Sequence, residues 1–312
     1  MDDEARLPRS QASGSLRGWV PPDVAGLLAI AAAAALWAVA AVVADSLFRD
    51  GVEPFELTEA RAVIGMIGLG LAGGFRRSER RIHPWKLVAF GMSIALVTAT
   101  YYGAIDRLEV AVAIVLQYSA PVLVVLWTAV VTGRRPEPTL VVSLIAAVVG
   151  VMLVSGLLVG GTGEIDPVGI VLGLGSAVFF AAYTLLSDEA GPVYGPVGAM
   201  FRAFAIASVF WVGVQLFAGA PDALFDPDNL PRIAFVGVAG TLIPFLLYVW
   251  GVQRVRAERG VIAATLEPVL AALVAWIFLD EALSPIRIAG GATVIAAVVA
   301  LQLRRREIEP HP

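Results

Sequence analysis

The chain has 312 residues, of which 58% are hydrophobic and only 15% are charged, and its formal net charge is −4. Soluble domains carry roughly 25% charged residues, so this composition excludes an ordinary soluble protein. Cysteine is absent and histidine occurs only at His83 and His311, which excludes disulfides, thiolate chemistry and a cysteine or histidine metal centre. We therefore expect no cofactor, and the small negative net charge indicates no nucleic-acid partner.

Beyond a polar tail at 1–23, apolar segments of about twenty residues follow one another along the chain. Each is long enough to cross roughly 30 Å of hydrocarbon, and a helix satisfies its own backbone polar groups in lipid. We interpret the first segment as a retained span; the alternative is a cleaved signal peptide. The ten predicted spans are 24–45, 56–75, 85–105, 109–132, 138–158, 167–187, 196–217, 231–252, 259–279 and 285–303.

Proline supports these boundaries independently of hydropathy, because its missing N–H costs nothing in the first turn of a helix. Asp166 and Ser284 each precede such a proline, as helix N-caps would. The prolines at or near the start of a predicted span are Pro84, Pro138, Pro167, Pro196, Pro231 and Pro285.

Basic residues predict the orientation. With the N-terminus in the cytoplasm, most of the 22 Lys and Arg residues fall in cytoplasmic segments, as is typical of membrane proteins. The sequence therefore predicts a multi-pass protein of the plasma or inner membrane with the tails 1–23 and 304–312 in the cytoplasm. The arginine-rich loop at Arg76–Arg81 would fix this orientation and contact anionic lipid headgroups.

An internal repeat appears when the chain is shifted by 147 positions without a gap. Chance matching of apolar residues is the alternative, but two prolines and an arginine coincide as well. Five helices per half would make the second half enter the membrane upside down. The fold class predicted is thus an all-α membrane protein with ten transmembrane helices in two inverted five-helix repeats, at 24–158 and 165–303. The matched pairs include Arg107 with Arg254, Pro121 with Pro268, and Pro138 with Pro285.

Glu267 is the principal candidate for a functional residue, since it lies near the middle of the ninth predicted span. A charged residue at the centre of a membrane helix costs about 2.5–3.5 kcal/mol on insertion scales. Such a carboxyl group can exchange a proton during transport or bind a substrate amine. The alternative is a structural carboxyl group that is protonated or bonded to a neighbouring helix.

Pro121, Pro268 and Pro244 lie inside predicted spans, where each removes a backbone hydrogen bond. They free the carbonyl groups of Gln117, Ala264 and Gly240 respectively. Broken helices at the midplane of paired repeats are where transporter sites are built. The alternative for each proline is a kink that only shapes packing.

Polar and aromatic residues at similar depth are candidates for a substrate cavity, although interfacial anchoring is the alternative for the aromatic ones. Arg61 and Arg202 lie about one turn inside their spans, where we expect a structural or gating role. The cavity candidates are Trp37, Tyr101, Gln117, Tyr118, Tyr183, Tyr248 and Trp250.

The stretch Thr265–Ser284, followed by Gly290–Gly291, resembles the end of an EamA-type repeat of the drug/metabolite transporter superfamily. One departure is that Arg134 stands in the first half where the family's acidic residue is matched by Glu281 in the second. Other residues that carry the resemblance are Tyr118–Val122, Trp37, Arg61 and Arg202.

The resemblance implies secondary transport of a small organic metabolite, amino-acid-like or xenobiotic, with export the favoured direction. We expect alternating access, with protons as a candidate coupling ion and the lipid bilayer as the surroundings. No P-loop or hydrolase motif is present, so the chain is not expected to be an enzyme. The alternatives are a membrane-embedded lipid-modifying enzyme and a non-transporting scaffold, and the oligomeric state stays open.

Overall fold

The structure, a computed structural model, describes residues 21–76, 78–105, 107–108, 110–156, 166–218, 222–278 and 284–308. These residues form helices and connections without a strand. Most of the tail 1–23, the end of the tail 304–312 and Glu281 lie outside the described residues.

Twelve α-helices occur in the described residues, with a 3₁₀ helix at Asp222–Phe225 and a π-helical turn at Val238–Leu242. The α-helices are α1 (Pro22–Arg49), α2 (Pro54–Leu71), α3 (Pro84–Ile105), α4 (Val110–Gln117), α5 (Ala120–Thr132), α6 (Pro138–Val154), α7 (Pro167–Ala218), α8 (Leu230–Gly237), α9 (Ile243–Val255), α10 (Ala257–Ala264), α11 (Leu266–Phe278) and α12 (Pro285–Ile308).

Helix starts follow the proline pattern, because α3, α6, α7 and α12 each begin at the proline expected there. Asp166 caps α7, where its Oδ1 accepts the N–H of Val168 at 2.8 Å. Ser284 caps α12 in the same way, through the N–H of Arg287 at 3.4 Å. Both predicted N-caps are therefore confirmed.

Five helical segments of the described chain are long and apolar enough to cross a membrane, while two apolar helices, Pro138–Val154 and Pro285–Leu301, are shorter. The prediction of ten spans stays a prediction. The five long segments are Pro22–Arg49, Pro84–Ile105, Val112–Thr132, Pro167–Phe217 and Leu230–Val255.

The segment Pro167–Phe217 has 51 residues. A straight helix of that length would measure roughly 75 Å, more than twice the hydrocarbon thickness. Gly195 interrupts it with φ 68° and ψ 166°, a conformation open to glycine but strained for other residues. The chain therefore has a kink here, and the two parts of α7 are separate helices.

Small residues let α6 and α12 approach closely. A Cβ atom added to Gly150 would lie 2.9 Å from the carbonyl oxygen of Gly290, and one added to Gly290 would lie 2.8 Å from that of Gly150. Helix association in lipid depends on such close packing. The absence of side chains at Gly150 and Gly290 therefore allows this close approach of the two helices.

Three predicted spans are broken in the structure rather than continuous. The span 109–132 is divided into α4 and α5 at Tyr118 and Ser119, and the span 259–279 into α10 and α11 at Thr265. The span 231–252 contains the π-helical turn. Each break lies two to six residues before a proline, whose missing N–H prevents a regular helix.

Candidate functional site

A cavity of about 90 Å³ lies among the broken helices. One water molecule needs roughly 10–15 Å³ on this measure, so the cavity has room for a small molecule of several non-hydrogen atoms. Its walls are formed by the π-helical turn and by eight α-helices, namely α1, α2, α3, α4, α7, α8, α9 and α11. Both halves of the chain therefore contribute to it. It is lined by Trp37, Ala40, Ala41, Arg61, Val97, Thr98, Tyr101, Tyr102, Gln117, Phe180, Tyr183, Val236, Gly240, Phe245 and Glu267.

Glu267 enters the cavity from the first turn of α11, directly after the break at Thr265. The hydroxyl of Tyr118 lies 2.7 Å from Glu267 Oε2 and 3.2 Å from the carbonyl oxygen of Ala264. Pro268 cannot donate to that carbonyl within the helix. A side chain at the break between α4 and α5 therefore shares its one hydroxyl proton between the carboxylate, at the shorter distance, and the freed carbonyl at the break between α10 and α11.

Arg61 is the cation of the cavity, and it is only 8% exposed. Its Nε donates to Thr241 Oγ1 at 2.6 Å, its Nη1 to the Tyr102 hydroxyl at 2.9 Å, and its Nη2 to the carbonyl oxygen of Gly240 at 3.3 Å. Thr241 and Gly240 belong to the π-helical turn that precedes Pro244. Such turns occur frequently at functional sites.

Gln117, the last residue of α4, forms the polar link between the broken helix and α7. Its Nε2 donates to Ser176 Oγ at 2.8 Å, and Ser176 in turn donates to the carbonyl oxygen of Val97 at 3.2 Å. Three helices are therefore held in register beside the cavity by one chain of hydrogen bonds.

Aromatic rings form the apolar part of the site. Phe180 and Tyr183 are stacked with ring centroids 5.2 Å apart, and Tyr248 meets Tyr183 at 5.5 Å and Trp37 at 5.6 Å. The hydroxyl of Tyr248 pairs with Thr184 Oγ1 at 2.9 Å. These rings surround the two charged groups with a surface of low polarity, which strengthens their electrostatic interactions.

Most of the residues expected at the site meet here. Tyr118 lies beside Glu267, and Tyr248 lies next to the ring of the lining residue Tyr183. Pro121, Pro244 and Pro268 are buried close to the breaks. The predicted residues that line the cavity are Trp37, Arg61, Tyr101, Gln117, Tyr183 and Glu267.

Two of the candidate residues lie away from the cavity: Trp250, which was expected to line it, and Arg202, for which a structural or gating role was expected. Trp250 does not line the cavity; the guanidinium of Arg254 lies 3.3 Å from its ring centroid. Arg202 donates to the carbonyl oxygens of Gly74 at 3.1 Å and Arg76 at 2.9 Å. It thereby ties the chain after α2 to the second part of α7, which is a structural arrangement.

Sequence reasoning missed Thr241, Phe180 and Phe245 as neighbours of the site. Thr241 lies three residues before Pro244, so the proline already signalled that the groups of this turn would need side-chain partners. Phe180 lies one helical turn before Tyr183 and therefore shares its face. In the described part of the chain, no group of three or more acidic or histidine side chains has the arrangement of a metal site.

Ion pairs outside the cavity join the ends of neighbouring helices. Arg107 Nη1 lies 3.1 Å from Asp166 Oδ2, and Arg232 Nη1 lies 2.6 Å from Asp50 Oδ2. The Val168 N–H and then the Arg107 guanidinium lower the pKa of the Asp166 carboxyl below its ordinary value.

Comparison with known proteins gives the family. The model of the EamA-like transporter family matches residues 24–156 and again residues 167–302. A protein of Archaeoglobus fulgidus named "Uncharacterized transporter" is 30% identical over 204 residues, which are 65% of this chain and 71% of that protein. The threonine/homoserine exporter RhtA of Escherichia coli K12 is 27% identical over 253 residues, 78% of this chain and 83% of the exporter.

A solved crystal structure supports the fold. It superposes on this chain with a TM-score of 0.72 at 22% identity, covering 91% of this chain and 98% of its own. The family indicates a transporter rather than an enzyme, surrounded by membrane lipid and acting on a small molecule. Because the two family matches cover most of the sequence, the chain belongs to the EamA-like transporter family and is a multi-pass transporter of the cell membrane.

Proposed function

We propose that the chain is a secondary active transporter that exports a small amino-acid-like metabolite in exchange for protons. The observation that carries this proposal is a cavity whose described lining holds one carboxylate, Glu267, and one guanidinium, Arg61, within mostly apolar and aromatic walls. A zwitterion with a carboxylate and an ammonium group is complementary to that pair of charges. The name of the relative RhtA, a threonine/homoserine exporter, supports the same substrate class.

Arg61 is suited to bind the substrate carboxylate. A guanidinium has five N–H donors, and three of them are used by Thr241, Tyr102 and Gly240. The remaining donors, on Nη1 and Nη2, are those that bind a carboxylate in bidentate geometry. The protein contacts hold the guanidinium in place, so that little side-chain entropy is lost when the substrate binds.

Glu267 is suited to bind either the substrate ammonium or a proton. Its Oε2 accepts the Tyr118 hydroxyl, while Oε1 has no hydrogen-bond partner in the described residues. An ammonium and a proton would compete for the same carboxylate. Their mutual exclusion at one site is the physical basis of exchange, because each return step requires the other ligand.

The proposed topology is ten spans in two inverted halves with both termini in the cytoplasm. The paired breaks at equivalent positions of α4–α5 and α10–α11 support it. In this orientation the cavity lies toward the outer half of the bundle. Tyr248, Val252, Val261 and Ile262, which this orientation puts on the cytoplasmic side, are fully buried. Their burial supports an outward-facing state of an alternating-access cycle.

Transport by purified protein in liposomes tests the proposal. We expect uptake of labelled threonine, driven by an outward-directed proton gradient, by the wild-type chain and by Glu79→Gln, whose carboxylate lies in an exposed loop. Glu267→Gln should abolish gradient-driven transport and leave the protein folded. Unchanged transport by Glu267→Gln would remove this carboxylate from the mechanism, and inactivity of the wild type towards every amino acid would exclude the substrate class.

A further inference from the structure

A second pocket, of about 320 Å³, lies where α5 and α9 end and α6 and α10 begin. Its volume falls within the range of small-molecule sites, roughly 300–1,000 Å³. Six of its lining residues are charged, and four of the six are arginines, so the pocket carries an excess of positive charge. The charged residues are Arg134, Arg135, Arg256, Arg259, Glu137 and Glu258.

The arginines of this pocket have unused donors. Among the residues that the structure describes, Arg259 Nη1 is buried without a hydrogen-bond partner, and Arg259 Nη2 lies 4.0 Å from Glu137 Oε2. Arg256 Nη2 lies 3.8 Å from Glu258 Oε1, and both distances exceed hydrogen-bond length. The side chains of Arg134 and Arg135 have no hydrogen bond or ion pair within the described ranges. A buried donor without a partner is costly and calls for an acceptor.

The backbone beside the pocket favours an anion, as the arginine side chains do. Arg256 is the one non-glycine residue with positive φ in the described chain, at 74°, and such strain concentrates at functional sites. This conformation turns the chain into α10, whose N-terminus has no side-chain cap. The first N–H groups of a helix attract anions, so backbone and side chains favour the same kind of ligand.

We infer that this pocket is a binding site for a phosphate group, carried either by an anionic lipid headgroup or by a soluble phosphate compound. Several arginines around one cavity suit the tetrahedral oxygens of phosphate. The site also gives a role to Arg134, which stands at the position equivalent to Glu281. In the orientation proposed above, the pocket opens at the cytoplasmic surface, where both anionic lipids and soluble phosphates occur.

Two arms of a thermal unfolding experiment on the full chain distinguish the sources. In detergent, inorganic phosphate is titrated against chloride at equal ionic strength; in nanodiscs, phosphatidylglycerol mixed with phosphatidylcholine is compared with phosphatidylcholine alone. Binding raises the apparent Tm by about 5 °C at a hundredfold excess over Kd. A rise in the first arm identifies a soluble phosphate, and a rise in the second arm alone identifies a lipid headgroup.

Variants decide whether the effect belongs to the pocket. The double variant Arg134→Gln with Arg135→Gln should bind the phosphate group about tenfold more weakly or worse. Arg256→Gln tests the opposite wall of the pocket in the same way. The matched control is Arg49→Gln with Arg107→Gln, two exposed arginines that the proposed orientation places on the outer side of the membrane, and it should respond as the wild type does. Equal responses from pocket and control variants, or no response from the wild type in either arm, would overturn the inference.

Discussion

The two broken helices are built on the same plan but differ in where they place their polar groups. α4 ends at Gln117 and α10 ends at Ala264, its equivalent 147 positions later, and each break is followed by a proline. Glu267 occupies the second break, whereas its equivalent in the first, Ala120, is fully buried among apolar residues. The first break contributes Tyr118, whose hydroxyl reaches across to Glu267.

The difference teaches that the halves have become complementary rather than remaining equivalent. A carboxylate at both breaks would place two like charges near each other, which would disfavour ionisation of both. One carboxylate and one phenol instead form a hydrogen-bonded pair across the repeat. At these two breaks the asymmetry therefore resides in the side chains, whereas the backbone is interrupted at equivalent positions.

Adding a carboxylate to the first break should have the largest effect. Ala120→Glu would bury a charge without a partner, at a cost of about 3–5 kcal/mol, and we expect a loss of monodisperse protein on size-exclusion chromatography. Ala120→Ser is the control and should remain folded. Stable, active Ala120→Glu would show that the first break already offers polar partners and that the two halves are more alike than their contacts indicate.

Removing the hydroxyl that links the breaks should have the next largest effect. Tyr118→Phe leaves the carbonyl oxygen of Ala264 and one oxygen of Glu267 without their donor, at about 1–3 kcal/mol. This corresponds to a fall in kcat/KM for transport of about 5- to 150-fold. The matched variant in the other half is Thr265→Val. It loses only the hydrogen bond that the Thr265 hydroxyl donates to the carbonyl oxygen of Ile262 in the same turn, and it should transport nearly normally. If both variants transport equally well, the link across the repeat has no role.

The π-helical turn gives a third test. Thr241→Val removes the acceptor of Arg61 Nε, and we expect the KM for an amino acid to rise about tenfold while kcat changes little, because the guanidinium loses its fixed orientation. Thr241→Ser keeps the hydroxyl and should restore the wild-type KM. An equal loss with serine and valine would show that the hydroxyl alone does not hold the guanidinium in place, because serine keeps that hydroxyl.

Much of this site could be predicted because membrane helices leave few ways to accommodate a charge or a proline. Glu267 was conspicuous because a carboxylate in lipid needs a partner, and Pro121, Pro244 and Pro268 indicated where backbone groups would be freed. The repeat then indicated that two of the breaks were equivalent.

The rest depended on which helix faces meet, and hydropathy does not report this. Tyr248 and Trp250 are two residues apart in α9, yet Tyr248 is fully buried against Tyr183 while Trp250 lies under Arg254. Residues two apart on a helix point in different directions, and both are aromatic residues at a similar depth. The reach of Arg61 to Thr241 likewise depends on a contact between residues 180 positions apart, which no local pattern contains.

The smallest effect is expected at the matched arginines. Arg107 pairs with Asp166, whereas its equivalent Arg254 lies over the ring of Trp250. Because the pKa of Asp166 is lowered in the folded protein, the ionised carboxylate contributes stability above its ordinary pKa, and this contribution is lost as the pH falls through the lowered value. Asp166→Asn should therefore narrow the difference in Tm between neutral and acidic buffer, most clearly below about pH 4. Arg254→Gln should lower Tm by the same amount in the neutral and in the acidic buffer. An unchanged acid dependence in Asp166→Asn would assign the loss of stability to other carboxylates.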